Sequence, residues 1–135
     1  MGSNINDIYA EDFQNVVEGM LTMNRSLLDV VTKQQSACAA INRAIAKAVT
    51  HCGCIQIDAK KQNFPKNADL DHIHELMDTH VKGKLCKDCR QAVEKEIGGL
   101  LFYMASLANT LDINLYDVIL KEKEALLTLG NYSLR

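Results

Sequence analysis

Apolar residues recur along most of the chain at helical intervals. Between Asp7 and Met23, Ile8, Phe13, Val16, Val17, Met20 and Leu21 share one face, and Asn6 stands where a helix cap is wanted. The stretch TMNRS, residues 22–26, is either a break or a continuation of that helix. The clearest pattern runs from Arg25 to His51. There Leu27, Val31, Gln34, Cys38, Ile41, Ile45 and Ala48 fall on one face at alternating steps of three and four, which places Cys38 in the core. Small residues beside that face, Ala40 and Ala44 among them, let a neighbouring backbone come close. Gly53 supplies a left-handed stop.

The pattern then loosens. Residues 55–69 read as a connection in which Ile55 and Ile57 alternate like a short strand, while Pro65 and Asn67 mark a loop. Asp69 can cap a short helix reaching about His80, with Gly83 ending it. A third long helix opens at CKDCRQ and runs to about Leu111, with Val93, Ile97, Leu100, Leu101, Met104, Leu107 and Ala108 inward. Asn114 caps a last helix, Asp117 sits three residues on, and Gly130 stops it after Leu129. The fold expected is all-α: a four-helix-type bundle with a short extra helix. It forms one domain over residues 1–135, whose connection 52–89 is clipped by cysteines.

Composition narrows the classes. Apolar residues make up 47% and charged residues 24% of the 135, a globular balance. Net charge is −2 with scattered Lys and Arg, so no basic stripe points to nucleic acid. No apolar run approaches the ~20 residues that cross a membrane. The start, MGSNINDIYAEDF, lacks the basic and apolar regions of a secretory signal, and Gly2 is followed by Asn6 where myristoylation wants Ser or Thr. The expected location is therefore cytoplasmic. In a reducing compartment, five cysteines argue for metal or redox chemistry rather than a disulfide framework.

Four of the five are paired: Cys52-Gly-Cys54 ends one long helix, and Cys86-Lys-Asp-Cys89 begins another. The two-residue spacing lets both sulfurs reach one ion, and the glycine relieves the tighter pair. If the helices are antiparallel neighbours, the two pairs meet. A helix N-terminus also favours thiolate through its dipole and free N–H groups. The expected site is a structural zinc held by Cys52, Cys54, Cys86 and Cys89, closed to catalysis because four thiolates leave no open position. Three other readings stay open: an iron–sulfur cluster on the same ligands, a redox dithiol, and four unligated thiols. His51 and His80 are close enough in sequence to replace a sulfur, whereas His72 and His74 read as solvated.

The stretch EKEIGGLLFYMASLANTLDINLYDVILKEKEAL, residues 94–126, resembles the MazG-like all-α nucleotide pyrophosphohydrolases. Glu96 stands at the family's Glu position, TLDINL looks like its turn, and Leu115 to Leu126 looks like the helix that follows. The resemblance implies a helical fold, a nucleotide ligand, pairing into a homodimer, and magnesium held by carboxylates that activates water against a triphosphate. The chain departs from that pattern where the chemistry lies. Gly99 occupies the expected Asp position, and the helix from Arg25 to His51 has Asp29 as its only acid. Glu94, Glu96 and Asp29 are the remaining candidates for a weak carboxylate group. Glu75 and Asp78 on the short helix read as a solvated face. The function expected is a catalytically inactive MazG-like protein that acts by protein or ligand binding. The alternatives are an active magnesium-dependent pyrophosphohydrolase and a metal or redox sensor.

Overall fold

The computed structural model describes residues 5–20, 26–69 and 71–130 of the chain, with side chains from Tyr9 onward. Helix α1 spans Ile5–Met20, α2 Leu27–Lys47, α3 Ile73–Leu76, α4 Lys87–Thr110 and α5 Leu115–Leu129. Strands β1 (Ile55–Ile57) and β2 (Val81–Gly83) form an antiparallel ribbon. Among the described residues the fold is all-α, with four long helices and one short one, as the apolar spacing predicts.

Several ends fall where the sequence puts them. Asn114 caps α5, its side chain accepting from the backbone N–H of Asp117 at 3.2 Å, and Gly130 ends that helix. Ser26 holds the N-cap position of α2. Asn6 lies inside α1 rather than before it. Residues 21–25, which contain most of TMNRS, lie outside the described part.

Helix α2 does not stop at Lys47. It widens into one turn of π-helix, Ala48–Cys52, and then Gly53 turns the chain away with φ 76. The N–H of Gly53 donates to the carbonyl of Ala48 at 2.9 Å. Such wide turns are rare and concentrate at functional sites.

Helix α2 packs along α4, and α1 packs against both α4 and α5. The end of α2 meets the start of α4, so the two run antiparallel. Small buried residues sit on these helices: Ala37 and Ala48 at one side, Ala105 and Ala108 at the other, with Val17 and Val30 almost fully enclosed. Side-chain size at a helix contact sets how closely the axes approach.

The connection differs from expectation. In place of a helix to His80, α3 has only four residues, and the chain returns as β2 with the register Ile55↔Gly83 and Ile57↔Val81. A clasp closes the loop between the strands. Gln62 donates from Nε2 to the carbonyl of Asp78 at 2.7 Å and accepts the N–H of Asp78 at 3.0 Å on Oε1. The N–H of Asp58 donates to the carbonyl of His80 at 2.8 Å. Asp78 also accepts the N–H of His80 at 2.9 Å, a bond that holds its carboxyl below the usual carboxylate range. The ribbon needs partners that lie 24 or more positions apart, a separation that local spacing does not report.

The apolar faces are wider than the contacts that cover them. Cys38 was expected in the core, and it is exposed. Val31 and Ile45 beside it stay open, as do Ile97, Leu101 and Met104 on α4, while Val93, Leu100 and Leu107 are half-buried and Ala108 is buried. On α1, Val17 is buried but Phe13, Val16 and Met20 are not. Ile8 and Leu21, expected on the same face, lie outside the described side chains. One neighbouring helix covers one stripe, and a broader arc of apolar residues is left over.

Candidate metal centre

The sulfurs of Cys52, Cys54, Cys86 and Cys89 lie within 4.8 Å of one another. Three local features bring them together. The π turn ends α2 on Cys52. Gly53, in the left-handed region, then reverses the chain so that Cys54 follows at the base of β1. Cys86 is the N-cap of α4, and Cys89 lies on its first turn. The ribbon supplies the remaining constraint, because β1 begins directly after Cys54 and β2 ends three residues before Cys86.

Gly83 is part of this construction, although its sequence context reads as a helix stop. Its φ is +85, and a Cβ built there would lie 2.5 Å from the carbonyl oxygen of Cys54. Only glycine lets β2 pass this close to the Cys54 backbone.

The distances suit a tetrahedral thiolate site. Zinc–sulfur bonds of about 2.3 Å put the corners of a tetrahedron about 3.8 Å apart. The Cys52 and Cys86 sulfurs are 3.8 Å apart. Cys54 Sγ also lies 3.9 Å from the carbonyl oxygen of Ala48. Cys52 is exposed and the other three are half-buried, so the cluster opens to solvent on one side.

The electrostatics favour negative charge on one sulfur in particular. The backbone N–H of Cys89 donates to Cys86 Sγ at 3.4 Å. That bond, joined by the Cys89 thiol, lowers the Cys86 thiol to about 7 from an ordinary value of 9.0. Cys89 is pushed the other way, first by the Cys86 sulfur beside it and then by burial. Cys52 is raised as well, so negative charge is easiest to place on Cys86. A bound dication changes this balance, since a coordinating thiol is deprotonated outright.

Neither histidine is required in the set. His51 is exposed, and His80 faces Gln62, with Nε2 of each 3.4 Å apart. His72 and His74 are solvated as expected, their side chains 66% and 73% exposed. The carboxylates do not gather. Among the described residues the four cysteines are the only group of three or more metal-ligating side chains close enough to share an ion. Asp29 lies in the first turn of α2, at the end away from the cysteines, and Glu94 is exposed. Glu75 and Asp78 are exposed too.

Glu96 has a different setting. It is half-buried in an open cleft of about 440 Å³ between α2 and α4, which runs up to Cys52 and Cys89. Ala40, Ala44 and Ala48 form the small-residue wall, so the alanine row lines a groove within one chain. Arg43, Lys47 and His51 stand along the α2 side and Asp88 and Glu96 along the α4 side. Helical spacing of four, 43–47–51 against 88–92–96, creates these two facing rows.

No protein-family model, curated protein or solved structure matches this chain.

Proposed function

We propose that the chain is a MazG-like helical protein of the cytoplasm in which one zinc ion on Cys52, Cys54, Cys86 and Cys89 fastens the end of α2 to the start of α4. In this reading it lacks catalysis and acts by binding a protein or a small ligand, and it works as a homodimer. The carrying observation is the convergence of four sulfurs within 4.8 Å, with one pair at the separation a tetrahedral zinc requires. The role is structural, because four thiolates close the coordination shell.

The inactive reading is supported by the ligand chemistry. Magnesium wants oxygen ligands. The family resemblance loses one at Gly99, Asp29 sits on the first turn of α2 away from Glu94 and Glu96 on α4, and among the described residues no three carboxylates come close enough to share an ion. The cleft beside the metal centre, with Arg43 and Lys47 along one side, is where an anionic ligand such as a nucleotide fits this reading best.

Elemental analysis of protein prepared without added metal tests the zinc, with about one ion per chain expected. Iron in its place would identify a cluster, and freely titrating thiols with no metal would end the reading. A scan of nucleoside triphosphates with magnesium or manganese tests the lack of catalysis. Turnover near ~1 per second or above, the low end of ordinary enzymes, would restore the pyrophosphohydrolase and make Glu94 and Glu96 the first residues to mutate.

The exposure of Cys52, 3.8 Å from Cys86, favours a second reading as a metal or redox sensor. It requires that mild oxidant release the ion and join two of the thiols. A zinc content unmoved by oxidant leaves the structural role alone.

A further inference from the structure

The cleft between α2 and α4 runs into the cysteine cluster rather than past it, since Cys52 and Cys89 belong to its lining. Its volume of about 440 Å³ lies in the range of small-molecule sites. Arg43 and Lys47 stand along one side, and Asp88 and Glu96 along the other. None of these four charges has an ion pair or a side-chain hydrogen bond within the chain. Two unpaired rows of opposite sign thus face a space that a ligand can enter. A simple anion meets the first row and is repelled by the second. A molecule that carries carboxylates and an ammonium group satisfies both.

We propose that this cleft seats a low-molecular-weight disulfide with zwitterionic arms and presents it to Cys52. This deepens the redox-sensor reading above by naming the oxidant and its seat, and it rests on that reading.

The chemistry follows from which sulfur the cleft exposes. Of the four clustered cysteines, Cys52 is the exposed one, and it lines the cleft. In the first step its sulfur attacks one sulfur of the seated disulfide. A bond forms between Cys52 and that arm, the bond between the two arms breaks, and the departing thiolate takes the proton that Cys52 gives up. Cys86 Sγ lies 3.8 Å from Cys52 Sγ. In the second step it attacks the Cys52 sulfur, closes a Cys52–Cys86 bond and expels the second arm, which takes the Cys86 proton. The chain loses two electrons and two protons, and the disulfide gains them as two thiols. Two of the four sulfurs are thereby withdrawn from metal binding.

Cys38 supplies an internal reference, because it is exposed but lies outside the cleft lining. The full chain is treated as isolated with oxidised glutathione, whose arms are zwitterionic, or with 2-hydroxyethyl disulfide, whose arms are neutral. Peptide mapping by mass spectrometry follows both cysteines. Oxidised glutathione is expected to favour Cys52 over Cys38 about tenfold more than the neutral disulfide does, the scale of two partly exposed charge contacts. Its end product is expected to be the Cys52–Cys86 bond. The double variant Arg43→Glu and Lys47→Glu, changed at two exposed positions, is expected to abolish the preference. Lys123→Glu on α5 is expected to leave it in place.

The same preference with both disulfides, or one that survives the reversal of Arg43 and Lys47, overturns the seat and leaves the sensor standing. So does a Cys52–Cys86 bond that forms with hydrogen peroxide but with neither disulfide. No such bond with any of the three oxidants overturns the sensor reading and this proposal together. Should the double variant unfold, the comparison of the two disulfides on the unaltered chain decides.

Discussion

The two ends of the α2–α4 pair are finished by different means. At the end where α2 stops and α4 starts, the contacts are sulfur and backbone: four cysteines within 4.8 Å, a three-residue ribbon, and a loop clasped by Gln62. Ile55 is the buried aliphatic nearest to them in the chain. At the opposite end, the joining centres on one polar residue of α1, beside a bond from Asn114 Nδ2 to Glu11 Oε1 at 3.3 Å. Gln14 of α1 donates from Nε2 to Asn109 Oδ1 at 2.8 Å and to the carbonyl of Ile113 at 2.7 Å. Its Oε1 accepts the N–H of Leu115 at 2.8 Å, and its own carbonyl accepts from Asn109 Nδ2 at 3.0 Å. A single side chain thereby ties α1 to the end of α4 and to the first residue of α5. The difference shows two solutions to a shortage of core. One end gathers soft ligands that an ion can complete. The other satisfies its turn with a buried amide and leaves an apolar helix face open.

If the comparison is right, each end can be broken without the other. Removing the ion is the largest perturbation. Structural zinc contributes on the order of 10 kcal/mol in small domains, so a chelator is expected to unfold residues 52–89 and loosen α2 from α4. Hydrogen exchange should show that loss first in β1, β2 and the π turn, and later around Gln14. Cys86→Ser is expected to reach the same state, with zinc content near zero. Retention of zinc by that variant would remove Cys86 from the site.

At the opposite end, Gln14→Leu leaves the carbonyl of Ile113 and the N–H of Leu115 without their side-chain partner. The expected cost is about 3 kcal/mol, from polar groups stranded in a part-buried turn. The zinc content should not change. Denaturant melting with parallel metal analysis checks both halves of this prediction, and loss of zinc here would mean that the two ends are one cooperative unit.

Gly83→Ala sharpens the first end. It forces a side chain into the left-handed region and against the Cys54 carbonyl, for about 1–3 kcal/mol. Weaker zinc binding should accompany the loss of stability. Gly53→Ala is the comparison variant, strained by its φ but with no atom in the way of a Cβ.

The smallest effect is expected at Cys38. Exposed rather than buried, it should cost within ~0.5 kcal/mol when changed to Ala, and the protein should keep its metal. A larger loss would place that face of α2 in a contact between copies.

Much of the architecture can be read from local order in the chain. Helical spacing, the cap at Asn114, the stops at Gly53 and Gly130 and the pairing of the cysteines all depend on residues a few positions apart, so α2, α4 and α5 and the cluster of four cysteines were legible. The sequence alone also separated soft sulfur chemistry from hard-cation chemistry, because ligand type is a property of residue identity. What it could not supply depends on residues far apart. The ribbon pairs Ile55 with Gly83, and Gln14 acts on partners some 95 or more positions away, so neither leaves a periodic trace. Gln14 even stands beside an apolar stripe, where a polar residue reads as surface. Apolar spacing likewise marks which side of a helix is oily but not whether anything covers it. That is why Cys38, Ile97 and Leu101 were placed inside and lie open, and why only the tertiary structure could show that α5 has a bare face. Burial belongs to the assembled arrangement of helices, since each can cover no more than the stripe that its neighbours reach.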